Sequence, residues 1–382
     1  MKPYAVLKTL LPETGQPIDW PAVCACVPEL EPLGASLQDP VHHQEGDVLT
    51  HTRMVIDSLC ALSFYQAASP ERRFVMFYAA LLHDIAKTSC AVKTGERISN
   101  PGHSRRGAID ARAMLWRAGV PFSLREDICR IILNHQVPFF AINGTRSGES
   151  CEYLVRKLSW ELSCVAELAA VAEADIRGRI CEDTRKTLDN IELFRELARE
   201  EGCYEGARGS ADPYTRFLYA KSRGTIALDY PFYQEKGSSV IVLSGLPASG
   251  KNTWVSAHAK GLPVVSFDDA KEELGLTHRD NAGAAVQLAL ERARECLRKG
   301  APFVWNATHL STQMRDKTLS LLHDYHADVR IVYLECAPSE LFSRNAKRDT
   351  TLTNQALEKM LFRWEVPLPT EAPHVDYLIQ NN

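Results

Sequence analysis

The chain has 382 residues, of which 45% are hydrophobic and 24% charged, a composition that excludes disordered and collagen-like proteins. A formal net charge of −4 argues against a dedicated duplex-DNA binder, so any nucleic acid must bind a local basic patch. No apolar run approaches the roughly 18 residues of a membrane helix, and the eleven cysteines include no CxxC pair. We therefore expect a cytoplasmic protein of two domains, with reduced thiols and no membrane contact.

Residues 1–203 are predicted to form an all-α domain. Apolar residues recur three and four positions apart through most of this region, as in the series Phe74, Phe77 and Leu81. Breakers such as the Asn-Pro-Gly run at 100–102 stand where these helices should end.

Histidine is concentrated in this domain: six of the twelve histidines precede residue 136, and none lies between residues 136 and 257. Four of them, together with two aspartates, are predicted to lie at or near helix ends. In chain order these residues are His51, His83, Asp84, His103, His135 and Asp175. Imidazole and carboxylate groups together suit a transition-metal hydrolase, in which a carboxylate can bridge two ions. The imidazole-rich set favours Mn²⁺, Co²⁺ or Ni²⁺ over Mg²⁺.

Three basic residues follow members of this set by three or four positions, which places each pair on one helical face. They are Lys87, Arg106 and Arg179. We expect Lys87 to act in catalysis and the two arginines to bind a substrate phosphate, the alternative being that each is a solvated charge. His42 and His43 precede the first strong helix, and we expect them at the surface or behind the ligands.

Residues 204–236 contain glycine, tyrosine and proline with weak periodicity, and we predict a linker or a small docking segment there. From residue 237 to 382, short β-rich runs alternate with helical runs, which indicates a parallel sheet with crossover helices. The predicted strands are Ser239–Leu243, Pro263–Phe267, Phe303–Trp305, Val329–Leu334 and Val375–Ile379.

The run GLPASGKNT at 245–253 follows the first of these strands and opens a helix. Its glycines allow successive backbone N–H groups to point at phosphate oxygens, the lysine adds a positive charge, and the helix contributes its N-terminus. We predict that it binds ATP or another nucleoside triphosphate with Mg²⁺, through Gly245, Ser249, Gly250, Lys251, Asn252 and Thr253. Asn252 stands where serine or threonine normally offers a hydroxyl to Mg²⁺; its amide oxygen, Thr253 or a water are the candidate replacements.

Two further groups flank this nucleotide site. Asp268 and Asp269 follow the second strand, where a kinase needs a general base, although an aspartate there can instead cap a helix. Arg344 and Arg348 share one helical face after the fourth strand, where small P-loop kinases carry a lid over the phosphates; the alternative is that both are solvated.

The runs GLPASGKNTW, SFDDAK, WNATHLSTQMR and RNAKR resemble the kinase domain of bacteriophage-type 5′-hydroxyl polynucleotide kinases, over residues 238 to about 365. The resemblance implies that Lys251 binds the phosphate donor, that Asp268 is the general base, and that two arginines clamp the donor phosphates. These arginines are Arg344 and Arg348. It further implies that Lys271, where the family has arginine, touches a phosphate of the acceptor, and that Asn306 and Thr308 line the site.

The runs EGDVLTHT, LLHDIAK, GHSRRGA, LNHQ and EADIRGR resemble the motifs of the HD phosphohydrolase superfamily over residues 42 to 180. The resemblance implies two metal ions. One would be held by His51, His83, Asp84 and Asp175, and the second by His103 and His135, with Asp84 bridging.

An HD phosphohydrolase followed by a polynucleotide-kinase-like domain is similar to the bacterial HD-Pnk family of bifunctional RNA end-healing enzymes. The resemblance implies a 2′,3′-phosphodiesterase and phosphomonoesterase joined to a 5′-hydroxyl kinase. The implied partners are RNA ends, DNA 5′-hydroxyl ends, and an RNA ligase in the same pathway. Two alternatives stay open: an HD nucleotidase fused to a nucleoside or small-molecule kinase, which the acidic net charge favours, and a module that senses nucleotide without transferring phosphate.

Overall fold

The computed structural model describes residues 1–13, 15–95, 97–143, 148–276, 283–347 and 352–380. The chain divides into two compact units, Met1–Arg208 and Gly209–Asn382. Within the described residues, no helix combines the length and the apolar character that crossing a membrane requires. The predicted fold class, a helical N-terminal part and a C-terminal α/β part with a parallel sheet, is confirmed.

The described residues of the first unit are mostly helical, with three short 3₁₀ helices at Lys8–Leu10, Pro28–Ala35 and Ala141–Asn143. The α-helices are α1 (Tyr4–Leu7), α2 (Trp20–Cys26), α3 (Val48–Ala61), α4 (Ser63–Ala67), α5 (Pro70–Leu82), α6 (Lys87–Cys90), α7 (His103–Arg117), α8 (Phe122–Asn134), α9 (Val137–Phe140), α10 (Cys151–Glu161), α11 (Val165–Arg177) and α12 (Thr184–Glu200). The expectation of a purely helical domain is wrong in one place, because β1 (Val92–Thr94) and β2 (Arg97–Ser99) pair as a small antiparallel ribbon. Each strand has only three residues, and most of them are exposed, so the sequence shows no clear alternation of apolar and polar residues there.

Helix α5 lies at the centre of this unit, where every residue from Phe74 to Leu82 is buried. It packs against α3, α8 and α11, and α11 is itself buried along nearly its whole length. A helix that is apolar on all sides must be surrounded by other helices. The polar residues at the C-terminal ends of α5 and α11 are therefore carried into the middle of the unit.

In the second unit, five parallel strands form one sheet in the order β4-β5-β3-β6-β7. The strands are β3 (Ser239–Ser244), β4 (Val264–Ser266), β5 (Phe303–Asn306), β6 (Asp328–Cys336) and β7 (His374–Gln380). The helices of the described residues are α13 (Pro213–Lys221), α14 (Lys251–His258), α15 (Phe267–Glu273), α16 (Gly283–Arg298), α17 (Thr312–Asp324), α18 (Pro338–Ala346) and α19 (Asn354–Leu361). Strand β3 lies in the middle, so the loop that follows it opens at the centre of the sheet edge.

Each predicted strand exists, and no strand end differs from the prediction by more than two residues. Helix α15 was not predicted; it begins directly after β4. Asp268 and Asp269 lie in its first turn, and the Ser266 hydroxyl caps it by accepting a hydrogen bond from the Asp269 N–H at 3.2 Å. Neither aspartate is the cap, so both carboxylates are left on the exposed first turn.

The segment from Gly209 to Lys236 is attached to the second unit. Arg216 donates to the Pro373 carbonyl at 3.3 Å, just before β7, and the Gln234 amide donates to Asp328 Oδ1 at 3.0 Å, on the first residue of β6. These contacts anchor the segment at the edge of the sheet where the strands begin.

We predict that Gly178→Ala destabilises the first unit by about 1–3 kcal/mol, the usual cost of overpacking. Gly178 ends α11 against α3, and a Cβ there would lie 2.6 Å from the backbone nitrogen of Val55. The measurement is urea unfolding of the full chain. Gly206→Ala is the matched control, because a Cβ at Gly206 meets nothing within 4 Å; equal unfolding curves for the two variants would contradict the prediction.

Candidate functional site

Four imidazoles and two carboxylates converge in the first unit, and all six side chains are buried. They come from α3, α7 and α11 and from the residues that follow α5 and α8. His51 Nε2 lies 3.1 Å from Asp175 Oδ1, His83 Nε2 lies 3.0 Å from Asp84 Oδ2, and His103 Nε2 lies 3.4 Å from Asp84 Oδ1. The ring centroid of His135 lies 5.2 Å from the ring centroid of His83 and 5.5 Å from that of His103. The structure thus brings together the whole set that was singled out from the sequence.

Backbone carbonyls fix the orientation of all four imidazoles. In three of them Nδ1 donates to the carbonyl three residues earlier, at 2.7–2.8 Å: His83 to Ala80, His103 to Asn100, and His135 to Ile132. The Nδ1 of His51 donates to the carbonyl of Gly178 at 3.2 Å. A proton on Nδ1 leaves the lone pair on Nε2, so each ring turns a ligand atom toward the common centre.

Several of these ligand atoms have no hydrogen-bond partner within the described part of the chain. They are the buried Nε2 atoms of His51, His83 and His135 and the Oδ1 atom of Asp84. A buried polar atom without a partner costs about 1–3 kcal/mol, so four at one point indicate a missing ligand.

The ligand atoms fall into two groups, each with its atoms within 4.8 Å of one another. One group is His51, His83 and Asp175, and the other is Asp84, His103 and His135. Three nitrogen or oxygen ligands in each group fit a divalent transition-metal ion with coordination positions left open. The cluster could therefore hold two ions.

Electrostatics keep the two carboxylates of the cluster in the ionised form that binds a cation, and these carboxylates in turn raise the pKa of His83 above its ordinary value. Burial opposes ionisation of Asp84, but His83 and Lys87 outweigh it and hold the pKa of the carboxyl well below its usual range. Arg179 has the same effect on the pKa of the Asp175 carboxyl. Burial lowers the pKa of His135 to about 3, so that its imidazole is neutral at physiological pH.

Glu45 is a functional candidate that the sequence reasoning missed. Its Oε1 atom accepts a hydrogen bond from His43 Nδ1 at 2.8 Å and lies 2.9 Å from His51 Nδ1, and its Oε2 atom accepts from the Ile180 N–H at 3.0 Å. Burial disfavours its charge, yet these bonds hold the pKa of the Glu45 carboxyl well below its usual range. Glu45 stands in the run EGDVLTHT, where its position beside the ligand histidine was the available indication. Of the two preceding histidines, His42 is exposed and His43 is buried behind His51.

The three basic residues predicted at this site differ in their contacts. Lys87 is buried, with Nζ 2.7 Å from Asp84 Oδ2 and 2.6 Å from Gln38 Oε1, to which it donates. Arg179 donates two hydrogen bonds to the Asp175 carboxylate, at 2.9 and 2.8 Å. Arg106 is paired with Asp110 on its own helix.

In the second unit, the loop between β3 and α14 has the backbone shape of a phosphate cradle. Gly245 has φ +145°, and a Cβ there would lie 2.3 Å from the Leu334 carbonyl oxygen; Gly250 has φ +100°. The Lys251 ammonium donates to the loop carbonyls of Gly245 and Leu246, at 3.0 and 2.8 Å. The Oγ of Ser249 and the side chains of Asn252 and Thr253 complete the run, the first buried and the other two exposed.

Residues at and just after the end of β5 line this loop. Asn306 Nδ2 donates to Asn252 Oδ1 at 2.8 Å, and the Thr308 carbonyl accepts from the Gly245 N–H at 2.9 Å. The amide oxygen that was a candidate magnesium ligand therefore already accepts a hydrogen bond from another amide. The sequence placed Asn306 at this site but gave no indication of that contact.

Arg344 on α18 lies beside the loop, with Nη1 3.4 Å from the position of a Cβ on Gly250. It forms an ion pair with Glu340 and donates to Gln380 Oε1 at 2.9 Å. Arg348 lies outside the described residues.

Asp268 and Lys271 lie on α15, after the edge strand β4, and β5 separates that strand from β3. The two residues therefore stand one strand away from the loop that follows β3.

Residues 240–367 match the sequence model of the AAA_33 family, an AAA domain. The chain is 36% identical to a multifunctional CCA protein of Halorhodospira halophila over 105 residues, which cover 28% of this chain and 23% of the relative. It is 32% identical to a multifunctional CCA protein of Xanthomonas campestris pv. campestris over 199 residues, 51% of this chain and 43% of the relative. The chain thus spans less than half the length of these curated relatives.

The solved structures that are similar to part of the chain include two that are described as kinases. One is a putative kinase from Chloroflexus aurantiacus, with a TM-score of 0.32 and 21% identity, covering 38% of this chain and 85% of that one. The other is a gluconokinase from Sinorhizobium meliloti, with a TM-score of 0.28 and 21% identity, covering 38% and 84%. The family match and the strand–loop–helix geometry define the second unit as a kinase-like P-loop domain, a kind that binds ATP together with Mg²⁺.

We expect Glu45→Gln to weaken binding of Mn²⁺ about 10- to 100-fold, the usual effect of removing an outer partner of a metal-ligating histidine. A neutral amide accepts the His51 proton less strongly than a carboxylate does, so the imidazole becomes a poorer ligand. The measurement is calorimetric titration of chelator-treated protein with Mn²⁺.

Glu31→Gln is the control for this experiment, because Glu31 is an exposed glutamate of the same unit. This variant should bind Mn²⁺ as the wild type does, and both should bind Mg²⁺ more weakly than Mn²⁺. An unchanged affinity in Glu45→Gln would contradict the role of Glu45 behind His51.

Proposed function

We propose that this chain heals broken RNA ends with two activities. The first unit removes a 2′,3′-cyclic phosphate or a 2′- or 3′-phosphate, and the second transfers the γ-phosphate of ATP to a 5′-hydroxyl. The observation that carries the proposal is the presence, in one chain, of a buried histidine–aspartate cluster with unpartnered ligand atoms and a P-loop. Ligation of broken RNA requires both changes, because breakage often leaves phosphate on the wrong side of the gap.

In the first unit, the six clustered residues would hold two divalent ions, which supply Lewis acidity at the scissile phosphate when bound. Lys87 supports the proposal through its buried ammonium, 2.7 Å from Asp84, which can neutralise a phosphate oxygen. Arg179 holds Asp175 through two hydrogen bonds and so fixes the carboxylate rotamer. On this account Arg179 positions a ligand, and Lys87 touches the substrate.

In the second unit, Lys251 exchanges its two loop carbonyls for the β- and γ-phosphates of ATP, and Arg344 adds a second positive charge beside them. The 5′-oxygen of the acceptor forms a bond to the γ-phosphorus while the bond from that phosphorus to the β,γ-bridging oxygen breaks. The acceptor proton passes to the Asp268 carboxylate, and ADP leaves. The exposure of Asp268 supports this role, since a polymer end must reach it from solvent.

A second candidate function is an HD nucleotidase joined to a nucleoside or small-molecule kinase, which the net charge of −4 favours. Incubation with labelled ATP and either a 5′-hydroxyl oligonucleotide or free nucleosides separates the two. End healing predicts label on the oligonucleotide, and the alternative predicts label on nucleosides. ATP binding without transfer to either acceptor would identify a nucleotide sensor and contradict both.

The two activities should be separable by single substitutions. Asp84→Ala removes a carboxylate that faces both ligand groups, so it should abolish phosphate removal and leave 5′-phosphorylation within a few fold of wild type. Lys251→Ala should abolish 5′-phosphorylation and leave phosphate removal within a few fold of wild type. Both activities are followed on end-labelled oligonucleotides, and a folded variant that loses both would contradict independent sites.

Asp268→Asn should reduce phosphate transfer at least about 100-fold, the lower end of what a general base contributes. Asp269→Asn is its matched control, since the two aspartates are adjacent and exposed on the same helical turn. Initial rates at saturating ATP are compared with wild type. A larger loss in Asp269→Asn than in Asp268→Asn would reverse the assignment.

A further inference from the structure

The P-loop of this chain differs from the usual pattern at two positions that meet in space. In P-loop NTPases, Mg²⁺ is held by a serine or threonine next to the P-loop lysine and by an aspartate from a neighbouring strand. Asn252 directly follows Lys251, and Asn306 is the last residue of β5, which pairs with the P-loop strand β3. Both positions therefore carry amides.

The two amides bind each other. Asn306 Nδ2 donates to Asn252 Oδ1 at 2.8 Å, which ties the start of α14 to the end of β5. Whichever amide donates, the pair uses one oxygen internally and has no net charge. A hydroxyl with a carboxylate would instead bring one negative charge to the same place, and hard cations such as Mg²⁺ favour anionic oxygen ligands.

Within the described residues, the charged groups that contact the loop reinforce this difference. Lys251 and Arg344 are both cationic and both lie against the loop backbone. Glu340, on the same helix as Arg344, is engaged in an ion pair with that arginine. The donor phosphates would thus meet two fixed positive charges, while Mg²⁺ would meet a neutral amide pair. The residues present do not fit the usual protein-held magnesium ion.

We infer that Asn252 and Asn306 form a neutral amide clasp in place of the magnesium-binding pair, so that the second unit binds ATP with nearly the same affinity with and without Mg²⁺. The ion then accompanies ATP through the nucleotide's own phosphates. The inference rests on the proposed binding of ATP at this loop, and it makes the clasp a determinant of metal dependence.

ATP binding tests the clasp without any acceptor. The full chain is titrated with ATP by calorimetry, once with EDTA and once with saturating Mg²⁺. We expect the dissociation constant of the wild type to change less than about threefold between the two conditions, and that of Asn252→Ser/Asn306→Asp to fall at least about tenfold on adding Mg²⁺, a difference of about 1.4 kcal/mol. Gln287→Glu, which adds a charge at an exposed position on α16, is the control and should behave as wild type.

The outcomes separate the inference from the proposed function. A wild type whose ATP affinity rises tenfold or more with Mg²⁺ overturns the clasp, and this result needs no variant to fold. A double variant that folds and binds ATP without gaining Mg²⁺ dependence overturns it as well. A wild type that binds no ATP under either condition contradicts the kinase assignment on which the inference rests.

Discussion

Burial of charge at one point is the constraint on which the first unit depends. Three carboxylates, those of Glu45, Asp84 and Asp175, lie together, and among the described residues the fixed cations in contact with them are Lys87 and Arg179. Such a cluster is costly in an apolar interior unless it is compensated. The buried helices α5 and α11 bring it to the centre, and the excess of negative charge there favours a cation.

The second unit differs, because its loop has to bind negatively charged phosphates and then release them. Its loop lies at the middle of the sheet edge, and its lysine is folded onto its own carbonyls. No burial of the lysine charge is required, because the ammonium keeps hydrogen-bond acceptors until phosphates replace them. The first site therefore keeps an excess of negative charge, whereas in the second site the hydrogen bonds of the lysine to loop carbonyls can be exchanged for bonds to phosphate.

The sequence predicted the parts of this arrangement that repeat or lie close along the chain. Alternating strands and helices were enough to predict the parallel sheet. The positions of the residues from His51 to Asp175 at or near predicted helix ends, together with the resemblance to HD phosphohydrolases, were enough to single out the cluster. Glu45 was missed because its contacts depend on how α3 meets the end of α11, which no local pattern records. The Asn306 contact joins residues 54 positions apart, and the separate helix α15 was hidden because it follows β4 without a turn.

The carbonyl partners of the histidines have a consequence for how such a site could arise. His83, His103 and His135 each take their partner from three residues earlier, so the orientation of each ring is set within four consecutive residues. Such a segment fixes the tautomer of its own histidine and requires no matching substitution elsewhere in the protein. A designer could therefore introduce these three histidines, each with its short local segment, at the ends of other helices. His51 depends on groups that are distant in the sequence, and a design would have to include those groups as well.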